Sequence, residues 1–362
     1  MFRILLTDCN GKQAIALASH LRRTLKGEIQ LHLIGHSPRK LPLARWYSCF
    51  DKVLQGMPLK DIVTAVPFDM VIPVGAISVC ETAKICPHLA VLPGTKQLEA
   101  CYDKEKTLQL AQALKVPVPR TQLVCSPYGD LPVAIGFPCV VKPAQEAALY
   151  KRVDYCHTES ELREALVRQL SLAREHGAGV LVQEFIPGTG CGFFALMDHG
   201  RAVRVFMHER LREYPPSGGH STAARSFYSP RLSEIGLRLL SSLSWHGVAM
   251  VECKRDLRTG DYVLMEINGK FWGSLDLALS AGVNFGADLV RLFQGARLNF
   301  CDTYDRDCHF YWPLDDDLLN LWETKSLKKV RDYWQPNART NCGQSLRADL
   351  WKTARLLKHL VQ

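Results

Sequence analysis

At 362 residues, with 47% apolar and 22% charged side chains, the chain has the balance of a globular protein and is long enough for more than one packed unit. No segment approaches the length of a membrane span, and the opening MFRILLTDCNGKQ reads as a first strand broken by Asp8 and Lys12, not as a signal peptide. The net charge of +9 is dispersed over Arg22-Arg23, Arg201–Arg212 and Lys325–Arg331, which argues against nucleic acid and a membrane surface and for a phosphate-bearing ligand beside a solvated face.

The 13 cysteines are scattered and form no C-x-x-C pair, so reduced thiols and a cytoplasmic setting are expected rather than disulfides or a zinc site. In chain order, Phe2–Thr7 is predicted as a strand, Lys12–Leu25 as a helix, and Ile29–Ile34 and Met70–Val74 as further strands. That alternation is the signature of an open parallel α/β sheet. The first strand–helix turn, TDCNGKQA, has one glycine and lacks G-x-G-x-x-G, so a dinucleotide site is not expected there.

A helix is predicted over Glu99–Val116, stopped by Pro117 and Pro119. Residues 121–156 hold two or three strands, including FPCVVKP, and Thr158 with Glu161 forms a capping box opening a helix that ends near His176-Gly177. Gly179–Phe185 is a strand, Gly188-Thr-Gly190 a turn, and Phe193–Met197 and Ala202–His208 a hairpin joined by Asp198-His-Gly200. YPPSGGHS (214–221) is a loop, Leu232–Trp245 an amphipathic helix, and Val248–Cys253 and Tyr262–Ile267 paired strands. Beyond Cys301, tryptophans among charges and the spacing of Leu346, Leu350, Ala354 and Leu357 predict a helical appendage. Its four tryptophans favour a buried interface.

The chemistry lies in the strand pair. Glu266 and Asn268 stand two apart on one strand and so face the same side, and antiparallel pairing can bring Glu252 opposite Glu266. Facing carboxylates repel unless a cation lies between them, and hard oxygen donors suit Mg²⁺. Solvent exposure of the same acids is the competing account, at roughly even weight. Lys142 ends an apolar strand and Lys104 opens a helix, where the dipole also attracts anions. Either alone reads as a surface lysine; beside a divalent-cation site the two outline a nucleoside triphosphate pocket.

Taken in order, Asp103-Lys104, FPCVVKP, VLVQEFIPG, VAMVECK and LMEINGKFWGS resemble the nucleotide-binding segments of the ATP-grasp enzymes, over about residues 100–295. The stretch MEINGKFWGSLDLALSAGVNF is similar to a carboxylate–amine ligase-like branch. The resemblance implies an N-terminal open parallel α/β domain (1–98), two α+β ATP-grasp lobes (99–187 and 188–300) with the nucleotide between them, and the helical appendage (301–362). It implies phosphate contacts from Lys104 and Lys142, and an adenine hinge over Gln183, Glu184, Phe185 and Ile186. There Gln183 acts by its side chain and Glu184 and Ile186 by backbone. Glu252, Glu266 and Asn268 would hold Mg²⁺, with Mn²⁺ as a substitute.

There are departures. AQEAALYKR stands where relatives carry a glycine-rich phosphate loop, GTGCG offers no clear acid for the ribose, and Lys270 replaces an arginine that holds the substrate. On the acceptor side Arg210, Arg212, Arg225 and His220 are candidate donors, with Lys270, Arg210 and Arg225 named for the substrate. His246 and Trp272 are expected to pack.

The activity implied is ATP-dependent activation of a carboxylate as an acyl phosphate and its transfer to an amine. The alternatives are a bicarbonate-activating carboxylase or carbamoyl phosphate-type enzyme, or a nucleotide-binding regulator without turnover. Small-molecule carboxylate and amine substrates are the expected partners, and a homodimer remains open.

Overall fold

The computed structural model describes residues 1–129, 131–145, 153–174 and 179–361. The AQEAALYKR stretch from residue 146 onward and the helix end at His176-Gly177 lie outside the described residues.

The chain opens with β1 (Phe2–Leu6), α1 (Lys12–Thr24), β2 (Leu31–Ser37), β3 (Lys52–Gln55), α2 (Leu59–Ala65), β4 (Met70–Ile72) and α3 (Ala76–Ile85). The four strands form a parallel sheet in the order β3-β2-β1-β4. Ile4, Leu5 and Leu6 are wholly buried because β1 is flanked on both edges and covered on both faces. On α1, Ala14, Leu17, Ala18 and Leu21 make the one-sided apolar stripe expected of a covering helix.

The helix predicted over Glu99–Val116 is two helices, α4 (Thr95–Tyr102) and α5 (Lys104–Ala113). Asp103 breaks the run: its backbone is extended, and its side chain caps α5 by accepting from the Lys106 N–H at 3.1 Å. Next come β5 (Thr121–Val124), β6 (Cys139–Pro143), β7 (Asp154–Cys156), α6 (Glu159–Arg174) and β8 (Val180–Glu184). They form a second, antiparallel sheet, β5-β8-β6-β7, covered by α6. Thr158 caps α6 as its spacing predicts, accepting from the Glu161 N–H at 3.2 Å, while Glu161 reaches back to the His157 N–H at 2.7 Å.

The third sheet is built from β9 (Gly188–Asp198), β10 (Arg201–Tyr214), β11 (His220–Ser226), then, after α7 (Pro230–Ser242), β12 (Gly247–Asp256) and β13 (Tyr262–Asn268). Gly188-Thr-Gly190 is not a turn but the start of β9, paired with β12 through Asp256↔Gly188. Glycine is required at 188, where a Cβ would lie 2.0 Å from the Arg255 carbonyl oxygen. One face of this sheet (Phe193, Ala195, Val205, Val251) packs on α7. The other (Phe194, Leu196, Phe206, Met250) joins the core shared with α1, α8 (Leu275–Ser280) and α9 (Phe285–Phe293).

The region after Cys301 is mixed rather than helical: β14 (His309–Tyr311), α10 (Leu318–Glu323), β15 (Ala338–Thr340) and α11 (Leu346–Val361). β14 and β15 extend the third sheet to the order β13-β12-β9-β10-β11-β14-β15. His309, Phe310 and Tyr311 alternate facing sides beside β11, a period of two that is too short to stand out in the sequence. Of the four tryptophans there, Trp312 is fully buried, while Trp322 and Trp334 are exposed. The segment returns to the N-terminal unit, with Ser345 Oγ donating to the Trp46 carbonyl at 2.9 Å and Trp351 edge-on to Trp46 at 6.4 Å.

Candidate active site

β12 and β13 pair with Glu252 directly opposite Glu266 and Met250 opposite Asn268. This regular pairing puts both acids and Asn268 on the face that carries Gly192 of β9 and His208 of β10, and the register shifts only beyond it, at a bulge between Glu252 and Cys253. The Asn268 amide donates to Glu266 Oε1 at 2.7 Å, which fixes the amide and leaves its oxygen as a donor for a cation. Burial pushes the Glu252 carboxyl up, and the nearby Glu266 adds to that, while Arg210 opposes it with an ion pair at 2.6 Å. Two carboxylates and an amide oxygen on one face, with cationic side chains beside them, are a donor set that fits Mg²⁺.

The lysines come from two elements: Lys104 opens α5, which packs on β13, and Lys142 lies on β6 of the second sheet. Lys104 is nine-tenths buried, and its backbone N–H donates to the Ala144 carbonyl at 2.9 Å, just past the end of β6. That bond holds the start of α5 beside the strand that carries Lys142. The Lys104 ammonium lies 3.6 Å from Glu266 Oε2, so it bridges the second sheet and the acids of the third.

Gln183 is buried at the end of β8, and its amide donates to Thr121 Oγ1 at 2.8 Å across the β5–β8 pair. The Glu184 side chain turns to Arg120 (3.2 Å) and Arg258 (2.8 Å). Burial pulls this carboxyl up, but the two arginines hold it below the usual range. Phe185 stands edge-on to Tyr155 at 6.0 Å, and the Ile186 carbonyl accepts from Lys254 Nζ at 3.1 Å. Lys254 also lies 5.0 Å over the Phe185 ring. Lys254 stands two residues beyond Glu252 on the same strand face, a spacing visible in the sequence VECK.

The acceptor-side expectations change. Arg210 bonds Glu252, the Gly219 carbonyl (3.0 Å) and, at 3.5 Å, Glu213, so it serves the acids instead of standing free for substrate. Arg212, two residues on, does not join it: bulges on either side of Arg212 turn it to Asp317 (2.7 Å) and Asp332 (3.2 Å). Arg225 pairs with Glu209, its partner in register, and Glu209 alternates with His208 and Arg210 along β10. Arg225 therefore projects from the opposite face of the sheet, which removes it from this site. His220 meets Asp316 at 3.2 Å. His246 stacks on His199 at 4.0 Å, and Trp272 is core, packed on Phe194 at 4.4 Å. Lys270 is half-buried just beyond Asn268.

A cavity of about 340 Å³ opens beside this face, between the start of β9, the end of β10 and α10. Gly190, Arg210 and Glu213 line it on one side, and Asn320, Thr324 and Lys329 on the other. No helix among the described residues is long and apolar enough to cross a membrane.

No family model matches the sequence. Among curated proteins, the chain is 24% identical over 206 residues to a D-aspartate ligase of Enterococcus faecium (strain Aus0004), covering 51% of this chain and 47% of that protein. The chain thus matches about half the length of that relative. Among solved structures, an L-amino acid ligase from Bacillus licheniformis superposes with a TM-score of 0.62 at 17% identity, over 85% of this chain and 79% of the other. A biotin carboxylase from Campylobacter jejuni, in complex with β-γ-ATP, gives 0.67 at 15%, over 85% and 74%. An N5-carboxyaminoimidazole synthetase from Staphylococcus aureus gives 0.68 at 13%, over 89% and 85%. These are ATP-grasp enzymes, and the chain has the ATP-grasp fold.

Proposed function

We propose that the protein is an ATP-dependent ligase that activates a carboxylate as an acyl phosphate and joins it to an amine, releasing ADP and phosphate. The observation that carries this reading is the facing pair Glu252 and Glu266, with Asn268 beside them and Lys104 within 3.6 Å of Glu266. The D-aspartate ligase and L-amino acid ligase names of similar proteins support the same reaction class.

In this reading Glu252, Glu266 and Asn268 hold Mg²⁺, which when bound supplies charge neutralisation for the β- and γ-phosphates. Lys104 at the start of α5 and Lys142 on β6 hold phosphate oxygens. Gln183 to Ile186 line the adenine, with Lys254 fixing the Ile186 carbonyl. Arg210 favours the ionised form of Glu252 against burial and orients it. Lys270 stands just past the acids and holds the reacting carboxylate as a point charge, without the fork of an arginine. A substrate carboxylate oxygen attacks the γ-phosphorus and ADP leaves; the amine then attacks the acyl carbon and phosphate leaves with the bonding electrons. The protein's work is placement and charge, so no side-chain nucleophile is needed.

The test is ADP release from Mg²⁺-ATP across a panel of amino acids, hydroxy acids and bicarbonate, with Glu266→Gln in parallel. Release that requires an organic carboxylate and disappears in the variant is expected. Release on bicarbonate alone would move the protein to the carboxylases, and failure to bind ATP would overturn the reading.

A further inference from the structure

A second cavity, of about 370 Å³, separates α3 from α4. Its walls are two helical stripes. Cys80, Ala83 and Lys84 stand on one face of α3, and Thr95, Leu98, Glu99 and Tyr102 on one face of α4. The space is therefore a slot along the whole of α4, eight residues or about 12 Å. Its middle is apolar: Leu98 is buried, Ala83 and Tyr102 are half-buried, and all three pack in the core that covers β9 and β12. Thr95 and Glu99, on the first turns of α4, are exposed, while Asp103, Lys106 and Gln145 close the other end.

That closed end meets the acids of the strand pair. Gln145 pairs with Asp103 through a backbone bridge, and the next residue, Lys104, reaches Glu266 at 3.6 Å. β13 runs against the α4 wall: Cys101 Sγ donates to the Ile267 carbonyl at 2.8 Å, and a Cβ on Gly269 would lie 3.4 Å from Leu98 Cδ2. Gly269 stands between Asn268 and Lys270. Lys270 is in turn close enough to the α3 wall to act on Cys80. Burial raises that thiol, and the Lys84 and Lys270 ammonium groups oppose the rise. The slot ends where the ligase reading puts the reacting carboxylate, the γ-phosphate and the cation.

Such walls select by what they fail to solvate. An apolar cavity of roughly 150 Å³ accepts benzene, so this one has room for an aryl or alkyl group and the carbon that carries the carboxyl. A charged group laid against Ala83, Leu98 and the Tyr102 ring would lose its water and gain no partner. The two lysines of the lining do not supply one. Lys84 is exposed and carries its charge to water, and Lys106 is paired with Asp103 at 3.8 Å.

We propose that this slot holds the body of the carboxylate substrate, and that the substrate is a monocarboxylic acid with an aryl or alkyl group. Its carboxylate lies at the Lys270 end and its apolar group along Ala83, Leu98 and Tyr102. Such a substrate is unlike the aspartate in the name of the Enterococcus faecium relative. The inference rests on the ligase reading for the fate of the carboxylate, and on the cavity for the binding itself.

The experiment is calorimetric titration of the full chain, with Mg²⁺ and a non-hydrolysable ATP analogue. The ligands are the straight-chain acids from propionate to hexanoate, 3-phenylpropionate, and D- and L-phenylalanine. Succinate, glutarate and D- and L-aspartate are the polar controls. Binding is expected to tighten about fourfold per methylene along the series. The best apolar acid should bind at least about 30-fold more tightly than any control. Ala83→Phe fills the slot and should weaken that acid at least about 10-fold; Thr95→Trp shortens it and should remove the gain from the last methylenes. Both variants should leave the ATP analogue within about twofold, since neither residue is placed at the nucleotide. Equal or tighter binding of a control, unchanged affinities in both folded variants, or no binding of any apolar acid would overturn the proposal. If Ala83→Phe does not fold, Thr95→Trp at its exposed position and the acid series on the unaltered chain still decide. Hydroxylamine with ATP itself then separates the two readings: its nitrogen attacks the acyl carbon of an acyl phosphate, phosphate leaves, and a hydroxamate remains. Slot-dependent binding of apolar acids with no hydroxamate and no ADP would sink the ligase reading alone. Hydroxamate formed from succinate or aspartate, and unchanged in both variants, would sink this one alone.

Discussion

The Arg210 guanidinium spans the width of β9 to bond Glu252 on β12 at 2.6 Å, so a carboxylate expected to hold a metal already has a fixed counter-ion. Lys104 plays the same part for Glu266 from the start of α5. The acids are thereby kept in place without a metal, at the cost of two buried cations whose field a triphosphate also feels.

Removing Arg210 should expose that dependence. In Arg210→Met, Glu252 is left buried against Glu266, and loss of one partner of a buried pair costs about 3 kcal/mol. Thermal melting is expected to show a lower midpoint for the variant than for the unaltered chain. Addition of Mg²⁺ with an ATP analogue is expected to raise the variant's midpoint by more, because the cation replaces the lost charge. An equal rise in both proteins would contradict the placement of a metal at Glu252 and Glu266.

Glu266→Gln makes the opposite trade. Neutralising Glu266 relieves its repulsion with Glu252 but takes the facing charge from the buried Lys104 ammonium, so the two effects oppose and the folded state should change by no more than about 1 kcal/mol. Carboxylate-dependent ADP release should fall at least about 100-fold, on the scale of removing one electrostatic contact to a transition state. Denaturant unfolding and an ADP assay on the same preparation check both halves. Matching losses of stability and activity would make Glu266 a structural residue instead.

How far the chain's own pattern led is clearest at particular residues. Glu252 opposite Glu266 followed from alternation and a short turn, because period two along a strand decides the face. Alternation within one strand does not place Arg225, because its face relative to Arg210 depends on the pairing of β11 with β10, where it stands opposite Glu209 and bulges interrupt the register. The break at Asp103 was missed because its neighbours all suit a helix, and what stops the run is a tertiary bond from Lys104 to Ala144.

The appendage is fastened to the third sheet by Arg212, which donates to both oxygens of the wholly buried Asp317, at 2.8 and 2.7 Å, and to Asp332 at 3.2 Å. Thr222 and Tyr333 complete the bonding of Asp317, each at 2.8 Å. Arg212→Met leaves that carboxylate with only hydroxyl donors, and a loss of about 3 kcal/mol is expected. Because that anchor holds the appendage, limited proteolysis should find faster cutting beyond residue 301 than in the unaltered chain. An unchanged digestion pattern with unchanged stability would show that the appendage is held by its apolar contacts alone.

Acid should act through His208. This ring is buried among Phe194 and Phe206, with Nε2 on Ser274 and Nδ1 enclosed without a partner among the described residues. Burial, aided by the Arg210 charge, pushes it down to about 3 from an ordinary 6.5. A histidine depressed in this way binds its proton more readily when unfolded, so its contribution is fully present above about pH 6.5 and is lost as pH falls toward 3. Between pH 7 and pH 5 the loss is about 2 kcal/mol. His20, lowered to about 4 by burial and Arg23, acts in the same direction, while Asp276, raised to about 6, regains stability on protonation. A difference between proteins separates these effects. In His208→Phe the other groups titrate as before, so the unaltered chain should lose about 2 kcal/mol more than the variant between pH 7 and pH 5. Urea unfolding of both at the two pH values measures that difference directly, and parallel losses would mean that His208 is already protonated or open to water in the folded chain.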